Sequence, residues 1–365
     1  MPRAYTESVT STGRAAQRVL TRAPRSVVAI VLSMLLATAA GCGSNSVLGA
    51  PSGGENMQVT DGEDAEIAIS NFALPGPAAD QDPGVPNRVG SAQISVRSYE
   101  PSAEPWATLV WAHGGSFLRG TLDWPEADWT ARRFADAGMR VYSVDYALAS
   151  DSVKAPAPSN DVAAVVRWAA GAASGPLVVG GASAGAHLAT LAVLDAAASS
   201  GSRAALGPAA VPDGPESRGN VAISALLLEY PTLHRVQRPD AAVAAATARL
   251  PEQRRFSAER IAEMYEYYLG NDTDSTAAVA GELPSEWLAL LPPTVIVNAD
   301  ADDLRASGEQ FAEQLRAAGV DVREYVQPGT VHGYLNRPEE SAQTRADVQA
   351  TIDRFVDELR DVLGA

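Results

Sequence analysis

Gly180-Gly181-Ala182-Ser183-Ala184-Gly185-Ala186-His187-Leu188 is the stretch on which the rest of the chain turns. An apolar run, Pro176-Leu177-Val178-Val179, leads straight into it and reads as a short buried strand, while residues 184–198, rich in Ala and Leu, read as a helix. Ser183 therefore sits at a strand-to-helix turn. Gly181 and Gly185 flank it at two-residue spacing, as a cramped turn requires when its centre takes an unfavourable backbone conformation and holds a side chain outward. The following helix points its free N–H groups at the same spot, so negative charge forming beside Ser183 would be stabilised. A Gly/Ala-rich turn that only lets a helix pack closely on a sheet has the same letters. The remainder of the chain decides between the two.

Outward from the turn, strands and helices alternate. Residues 92–99 alternate apolar and polar at period two, as a strand near a sheet edge does. Residues 107–112 are continuously apolar, the mark of a central strand buried on both faces. Helical patterns over 124–137, 159–172, 304–318 and 338–363 are interleaved with strand patterns over 139–145, 177–179, 221–228, 294–298 and 320–326. This order predicts an α/β fold over residues 91–365: a mostly parallel central sheet with helices on both faces. Residues 230–291 break the alternation, with helical patches at 241–250 and 256–269 and no strand. Ser257 is placed to cap the second patch, whose Ile261, Met264, Tyr265, Tyr268 and Leu269 share one face. The insertion follows a strand's C-terminal end, the rim where open α/β sheets carry their sites, and reads as a helical cap or pocket wall, with ordinary packing on the sheet as the alternative for its second helix.

The N-terminus reads as an address rather than a fold. Arg14, Arg18, Arg22 and Arg25 precede an uncharged run over residues 26–38, too short to span a membrane comfortably. The run ends Ala39-Ala40-Gly41-Cys42, which resembles the lipobox of bacterial lipoproteins with Ala39 in place of the usual leucine. Residues 1–41 are then a signal peptide and Cys42, the only cysteine, carries the lipid. This predicts an exported protein held at the outer face of the cell membrane, or secreted if not lipidated. Residues 42–90 are rich in Gly, Pro and Asp and read as a flexible tether, with a short apolar patch at Ile67, Ile69 and Phe72 as the place for one ordered segment lying over the domain. Export takes five arginines and one glutamate off totals of 28 basic and 44 acidic residues, leaving 23 and 43. Nucleic acid and other polyanions would be repelled by that surface.

Chemistry at Ser183 needs a base, a carboxylate to orient it and donors for an oxyanion. The chain has four histidines. His187 lies inside the helix after Ser183, His234 lies in the insertion, and His113 ends a strand, where it reads as a prop for its loop. His332, in Pro328-Gly329-Thr330-Val331-His332-Gly333-Tyr334 after a strand at the same rim as Ser183, is the best base. Asp300, Asp302 and Asp303 follow the strand over 294–298, so the acid is located to a turn before it is located to a residue. The paired glycines of His113-Gly114-Gly115 let backbone approach a substrate closely, which makes the N–H groups of Gly114 and Gly115, with that of Ala184, the candidate oxyanion donors. Phe117, Trp124 and Trp129 follow that loop and either line a pocket or pack beneath it. No histidine cluster or cysteine set calls for a metal, and no organic cofactor is required.

With these pieces in order, the chain resembles the α/β-hydrolase superfamily, and within it the bacterial carboxylesterases related to hormone-sensitive lipase. His113-Gly114-Gly115-Ser116-Phe117 resembles that branch's His-Gly-Gly-Gly-Phe loop with serine for the third glycine, and Gly181-Ala182-Ser183-Ala184-Gly185 its Gly-Asp-Ser-Ala-Gly turn with alanine for aspartate. Asp302-Asp303-Leu304-Arg305 resembles its Asp-x-Leu-Arg motif, which implies Asp302 as the acid ahead of Asp300 and Asp303. The resemblance implies catalysis by Ser183, His332 and Asp302 on short- to medium-chain carboxylic esters. Ser116 and Ala182 depart from the branch and tilt towards feruloyl-esterase-like or formamidase-like neighbours. A hydrolase of another acyl bond and a non-catalytic cell-surface binding lipoprotein are the alternatives, and the second would be marked by a lost triad residue.

Overall fold

Side chains on successive residues of a strand leave on opposite faces, so a continuous apolar run can sit only where both faces are covered. The computed structural model describes residues 67–77, 91–199, 222–271 and 278–365. Its strands are β1 (Ala68–Pro75), β2 (Gln93–Glu100), β3 (Ala107–Ala112), β4 (Met139–Asp145), β5 (Leu177–Ala182), β6 (Ala225–Glu229), β7 (Thr294–Ala301) and β8 (Val322–Val331). They form an eight-stranded sheet in the order β1-β2-β4-β3-β5-β6-β7-β8. The pairs β1/β2 and β2/β4 are antiparallel, and every pair from β4 to β8 is parallel. The apolar runs of β3, β5 and β6 are buried along their whole length in the middle of this sheet.

The helices are α1 (Asp128–Asp136), α2 (Ala157–Ala172), α3 (Ala184–Ser199), α4 (Ala241–Thr247), α5 (Ala258–Leu269), α6 (Ser285–Leu288), α7 (Arg305–Ala317) and α8 (Ala342–Leu363). Alternate strand residues feed two cores. Leu109, Trp111, Val178, Leu227 and Val297 pack with Phe134 of α1 and with Ile352, Phe355 and Leu359 of α8. Val110, Val144, Val179, Leu228 and Ile296 pack with α2, α3 and α7 through Val162, Leu188 and Phe311. Each such side chain contributes about 1.5–3 kcal/mol on leaving water. Among the described residues, no helix is long and apolar enough to cross a membrane.

One boundary differs from the sequence reading. Part of the expected tether is β1, which pairs with β2 from Ala68↔Glu100 to Pro75↔Gln93, so the domain begins no later than residue 67 rather than at 91. Its residues are half-buried or exposed, which is why composition alone gave no strand signal. Phe72 anchors it, with ring centroids 4.9 Å from Trp168 and 6.1 Å from Tyr142. The signal segment 1–41, Cys42 and the rest of the tether, 43–66 and 78–90, lie outside the described residues.

The chain leaves β3 outward to β4 and returns to β5 on β3's other side. Loops leaving β3 and β5 therefore diverge at their C-terminal ends, the place where a parallel sheet opens a crevice. At that crevice α3 starts in contact with the end of β3: a Cβ on Gly185 would lie 2.1 Å from the Ala112 carbonyl oxygen, and one on Gly181 2.6 Å from the same atom. Only glycine fits at either place, because backbone rather than a flexible side chain is in the way. Gly185→Ala is expected to lower the unfolding free energy by about 3 kcal/mol or more, read as a shift in the urea midpoint; an unshifted midpoint would contradict this close approach.

Candidate active site

Ser183 stands between β5 and α3 with φ +53°, a left-handed conformation that a non-glycine residue holds only when its surroundings force it. The surroundings are specific: its N–H donates to the Glu229 carbonyl at 2.8 Å, continuing the β5/β6 ladder, and α3 begins at the next residue. The strained turn lifts Oγ clear of the sheet. There it lies 3.0 Å from His332 Nε2, and His332 Nδ1 lies 2.7 Å from Asp302 Oδ2. The serine, base and acid expected from the sequence are brought together in one hydrogen-bonded chain, from the ends of β5, β8 and β7.

The three aspartates of the turn separate by their partners. Asp302 is 1% exposed, accepts from His332 Nδ1 on Oδ2 and accepts the Leu304 N–H at 2.9 Å on Oδ1. Asp300 accepts from the Arg305 guanidinium and from Gly329 N–H, whereas Asp303 holds the Arg255 guanidinium at 2.8 and 2.9 Å and the Phe256 N–H. Only Asp302 touches the histidine. Asp303 has a different consequence: by holding Arg255 and Phe256 it draws the start of the insertion onto the site, where the Phe256 ring meets His332 edge-on at 4.8 Å. Tyr230 packs on His332 at the same 4.8 Å. The imidazole is thus flanked by two aromatic rings that restrict its rotation, and Arg337 binds its backbone carbonyl at 2.8 Å.

The loop after β3 requires a correction. Gly114 was expected as an oxyanion donor, but its N–H is committed to the buried carboxylate of Glu126, which the sequence reading missed. Among the described residues, the N–H groups of Gly115 and Ser116 donate to no protein group. Ala184 is the first residue of α3, so its N–H has no partner inside the helix. Gly115, Ser116 and Ala184 are therefore the uncommitted donors. Gly115, Ser116 and Phe117 run at φ +117°, +56° and +66°, a tight reversal that starts beside Ser183, where a Cβ on Gly114 would lie 3.1 Å from the serine Cβ. In the sequence Ser116 stands where the family loop has its third glycine, and that place is the signal by which its N–H could have been counted as a donor.

The other histidines have structural surroundings. His113 is fully buried, with Nδ1 2.8 Å from the Gly114 carbonyl and Tyr146 stacked on it at 4.5 Å, so it props its loop as expected. His187 lies with Nε2 2.9 Å from the Ala278 carbonyl and with Nδ1 between the Thr232 carbonyl at 3.2 Å and the Tyr265 hydroxyl at 3.3 Å. His234 bonds Ser307 and Gln314. Phe117 is fully buried and stacks on Tyr268 of α5 at 4.0 Å, joined there by His187 and Tyr265. It fastens the oxyanion loop to α5, and α5 buries the apolar face predicted for it, capped by Ser257. Trp124 lies 6.3 Å from His113, and Trp129 pairs with Arg133 on α1.

Two carboxyls lie behind the triad. Burial pushes Glu126 above the usual range against the hydrogen bonds of Tyr230 and Gly114, and pushes Glu229 well above it with Glu126 and Asp302 reinforcing the shift.

The fold and this site define a class, an α/β protein with a serine at a strained strand-to-helix turn. The family described as alpha/beta hydrolase fold matches residues 109–336, and the chain belongs to it. Over 289 residues it is 31% identical to the carboxylic ester hydrolase LipN of Mycobacterium tuberculosis, a match covering 75% of this chain and 66% of that protein, just under two thirds. It is 32% identical over 260 residues to carboxylesterase NlhH of the same organism, covering 68% and 73%. Among solved structures, brefeldin A esterase, described as a bacterial homologue of human hormone-sensitive lipase, superposes with a TM-score of 0.62 over 86% of this chain and 81% of that one; at 22% identity the likeness is one of fold.

Burial pushes His113 and His187 each down to about 4. A histidine depressed in this way stays neutral in the fold but takes up a proton on unfolding below about pH 6.5. Its contribution is fully present above that pH and is lost as pH falls towards 4. His187→Gln is expected to flatten the decline in melting temperature between pH 6.5 and 4; a slope equal to that of the unaltered protein would contradict the assignment.

Proposed function

We propose that the protein is a serine carboxylic ester hydrolase acting through an acyl-enzyme. The observation that carries this reading is the Ser183–His332–Asp302 hydrogen-bond chain, at 3.0 and 2.7 Å, set beside uncommitted backbone N–H groups. His332 Nε2 takes the Ser183 proton as Oγ attacks the ester carbonyl. Asp302 fixes the tautomer with the proton on Nδ1 and stabilises the imidazolium that forms. The carbonyl carbon turns tetrahedral, and its oxygen, now negative, is held by the N–H groups of Gly115, Ser116 and Ala184. Collapse returns the His332 proton to the leaving alcohol, and water then repeats the sequence to release the acid.

The relatives named carboxylic ester hydrolase and carboxylesterase support ester as the bond that is cut. Esters of short to medium acyl chains are the substrate class. The sequence of residues 1–42 supports export and lipid attachment at Cys42, which would place the enzyme outside the cell and anchored to its membrane.

On a p-nitrophenyl ester series the purified protein is expected to turn over acetate to octanoate esters, and Asp302→Asn to lower kcat by about 10⁴. Asp300→Asn and Asp303→Asn should stay within about tenfold of the unaltered rate, because neither carboxylate touches His332. A comparable loss in all three variants would overturn the assignment of Asp302, and no turnover on any chain length would overturn the ester reading.

A further inference from the structure

The Glu126 side chain accepts three hydrogen bonds at the crevice, and nothing in the acyl-transfer steps uses it. It is 1% exposed. Oε1 faces one side of the site, where it accepts the Gly114 N–H from the first residue of the oxyanion loop. Oε2 faces the other, where it accepts the Tyr230 hydroxyl at 2.5 Å and the Asn336 side-chain amide at 3.1 Å. The Glu126 backbone extends the same pattern: its N–H donates to Asn336 Oδ1 at 3.1 Å, and its carbonyl accepts the Trp111 indole N–H from β3 at 2.9 Å.

Each partner belongs to a working part of the site. Gly114 precedes the uncommitted donors Gly115 and Ser116. Tyr230 lies against the His332 ring, with 4.8 Å between centroids. Asn336 ends the short helical turn Tyr334–Asn336 that follows His332 and Gly333. One carboxylate therefore joins the oxyanion loop to the histidine loop, with a separate oxygen for each. The junction is tight, since a Cβ on Gly114 would lie 2.7 Å from Oε1 and 3.1 Å from Ser183 Cβ.

The chemistry of the side chain is also informative. Among the described residues no arginine or lysine forms an ion pair with Glu126. A carboxylate buried without a cation is unfavourable relative to an apolar residue of similar volume, so its presence here answers a need other than stability. The need that geometry supplies is an acceptor at both ends. Glutamine offers an acceptor at one end only, and its NH₂ must then face either Gly114 N–H or the Tyr230 and Asn336 donors.

We propose that Glu126 is a positioning residue for acyl transfer: its two oxygens clamp the oxyanion loop to the histidine loop and so hold the Gly115 and Ser116 donors in register with Ser183 and His332. Glu126 touches neither substrate nor reacting atoms. Its effect falls on the tetrahedral state, which alone needs donors and base aligned together, and not on ground-state binding. The inference rests on the ester-hydrolase reading.

The test is steady-state kinetics of Glu126→Gln on a p-nitrophenyl ester, with kcat expressed per active site titrated to completion by a fluorophosphonate. The expected result is a fall in kcat of about 10², a KM within about threefold, and a trifluoromethyl ketone, which mimics the tetrahedral state, binding more weakly by the same factor as kcat. A merely structural residue would lower the melting temperature and the fraction of titratable sites while leaving kcat per site unchanged, and that result would overturn the proposal. Should Glu126→Gln fail to fold, Tyr230→Phe and Asn336→Ala each remove a bond on the Oε2 side; a kcat per site lowered about fivefold or more in each supports the clamp, and unchanged values in both overturn it. If the unaltered protein turns over no ester, the ester reading falls and this inference with it; turnover by the unaltered protein at a rate Glu126→Gln matches overturns the clamp alone.

Discussion

The structure depends on the approach of α3 to the end of β3. That contact leaves no room for a side chain at Gly181 or Gly185, and it forces Ser183 into a left-handed backbone at φ +53°. Such a conformation costs on the order of 1–3 kcal/mol. It persists because the surrounding sheet is over-determined: β5 and β6 are buried end to end, and the Ser183 N–H is locked into the ladder by the Glu229 carbonyl. Strain here fixes direction. A serine in ordinary strand or helix geometry would lie along the sheet, whereas this one projects into the crevice at the point where neighbouring loops diverge.

The same crevice explains why the other functional groups come from distant parts of the chain. Parallel strands all finish at one rim, so the loops after β3, β5, β7 and β8 meet although Ser183 and His332 are 149 residues apart. Each loop is fastened separately. The insertion is held by the Asp303–Arg255 pair and by Phe117 stacked on Tyr268, and His332 lies between Phe256 and Tyr230. Glu126 then supplies the polar junction between the two loops on either side of the serine. Preorganisation of this kind matters because the oxyanion exists only briefly, and donors already aimed at it need no rearrangement when it forms.

Much of this was legible in the sequence, for physical reasons that also mark where legibility stopped. Central strands betray themselves by unbroken apolar runs, and the elbow by its glycines between strand and helix. His332 could be reached by elimination, because the other histidines occupied a strand end, a helix interior and the insertion. The acid turn was evident, but the choice among Asp300, Asp302 and Asp303 depends on which carboxylate faces the imidazole; residues this close in sequence carry no local record of that, and only the resemblance to the Asp-x-Leu-Arg motif pointed to Asp302. The patch around Ile67, Ile69 and Phe72 marks an ordered segment but not a strand, because an edge strand held by backbone pairing and one half-buried ring needs little apolar sequence. Glu126 was invisible for a stronger reason: it follows Trp124-Pro125 and precedes a helix, where an acidic residue is unremarkable, and its partner Asn336 is 210 residues away. With Glu126 unseen, Gly114 was counted among the free donors.

In the function proposed above, the strained turn presents Ser183 as a nucleophile activated by His332. The most direct measurement is covalent labelling of the purified protein with a fluorophosphonate, followed by intact mass and peptide mapping. One adduct per chain is expected, located on Ser183, formed rapidly in the unaltered protein and slowed by orders of magnitude in His332→Ala. An adduct on another serine, or labelling of Ser183 at the same rate without His332, would contradict it.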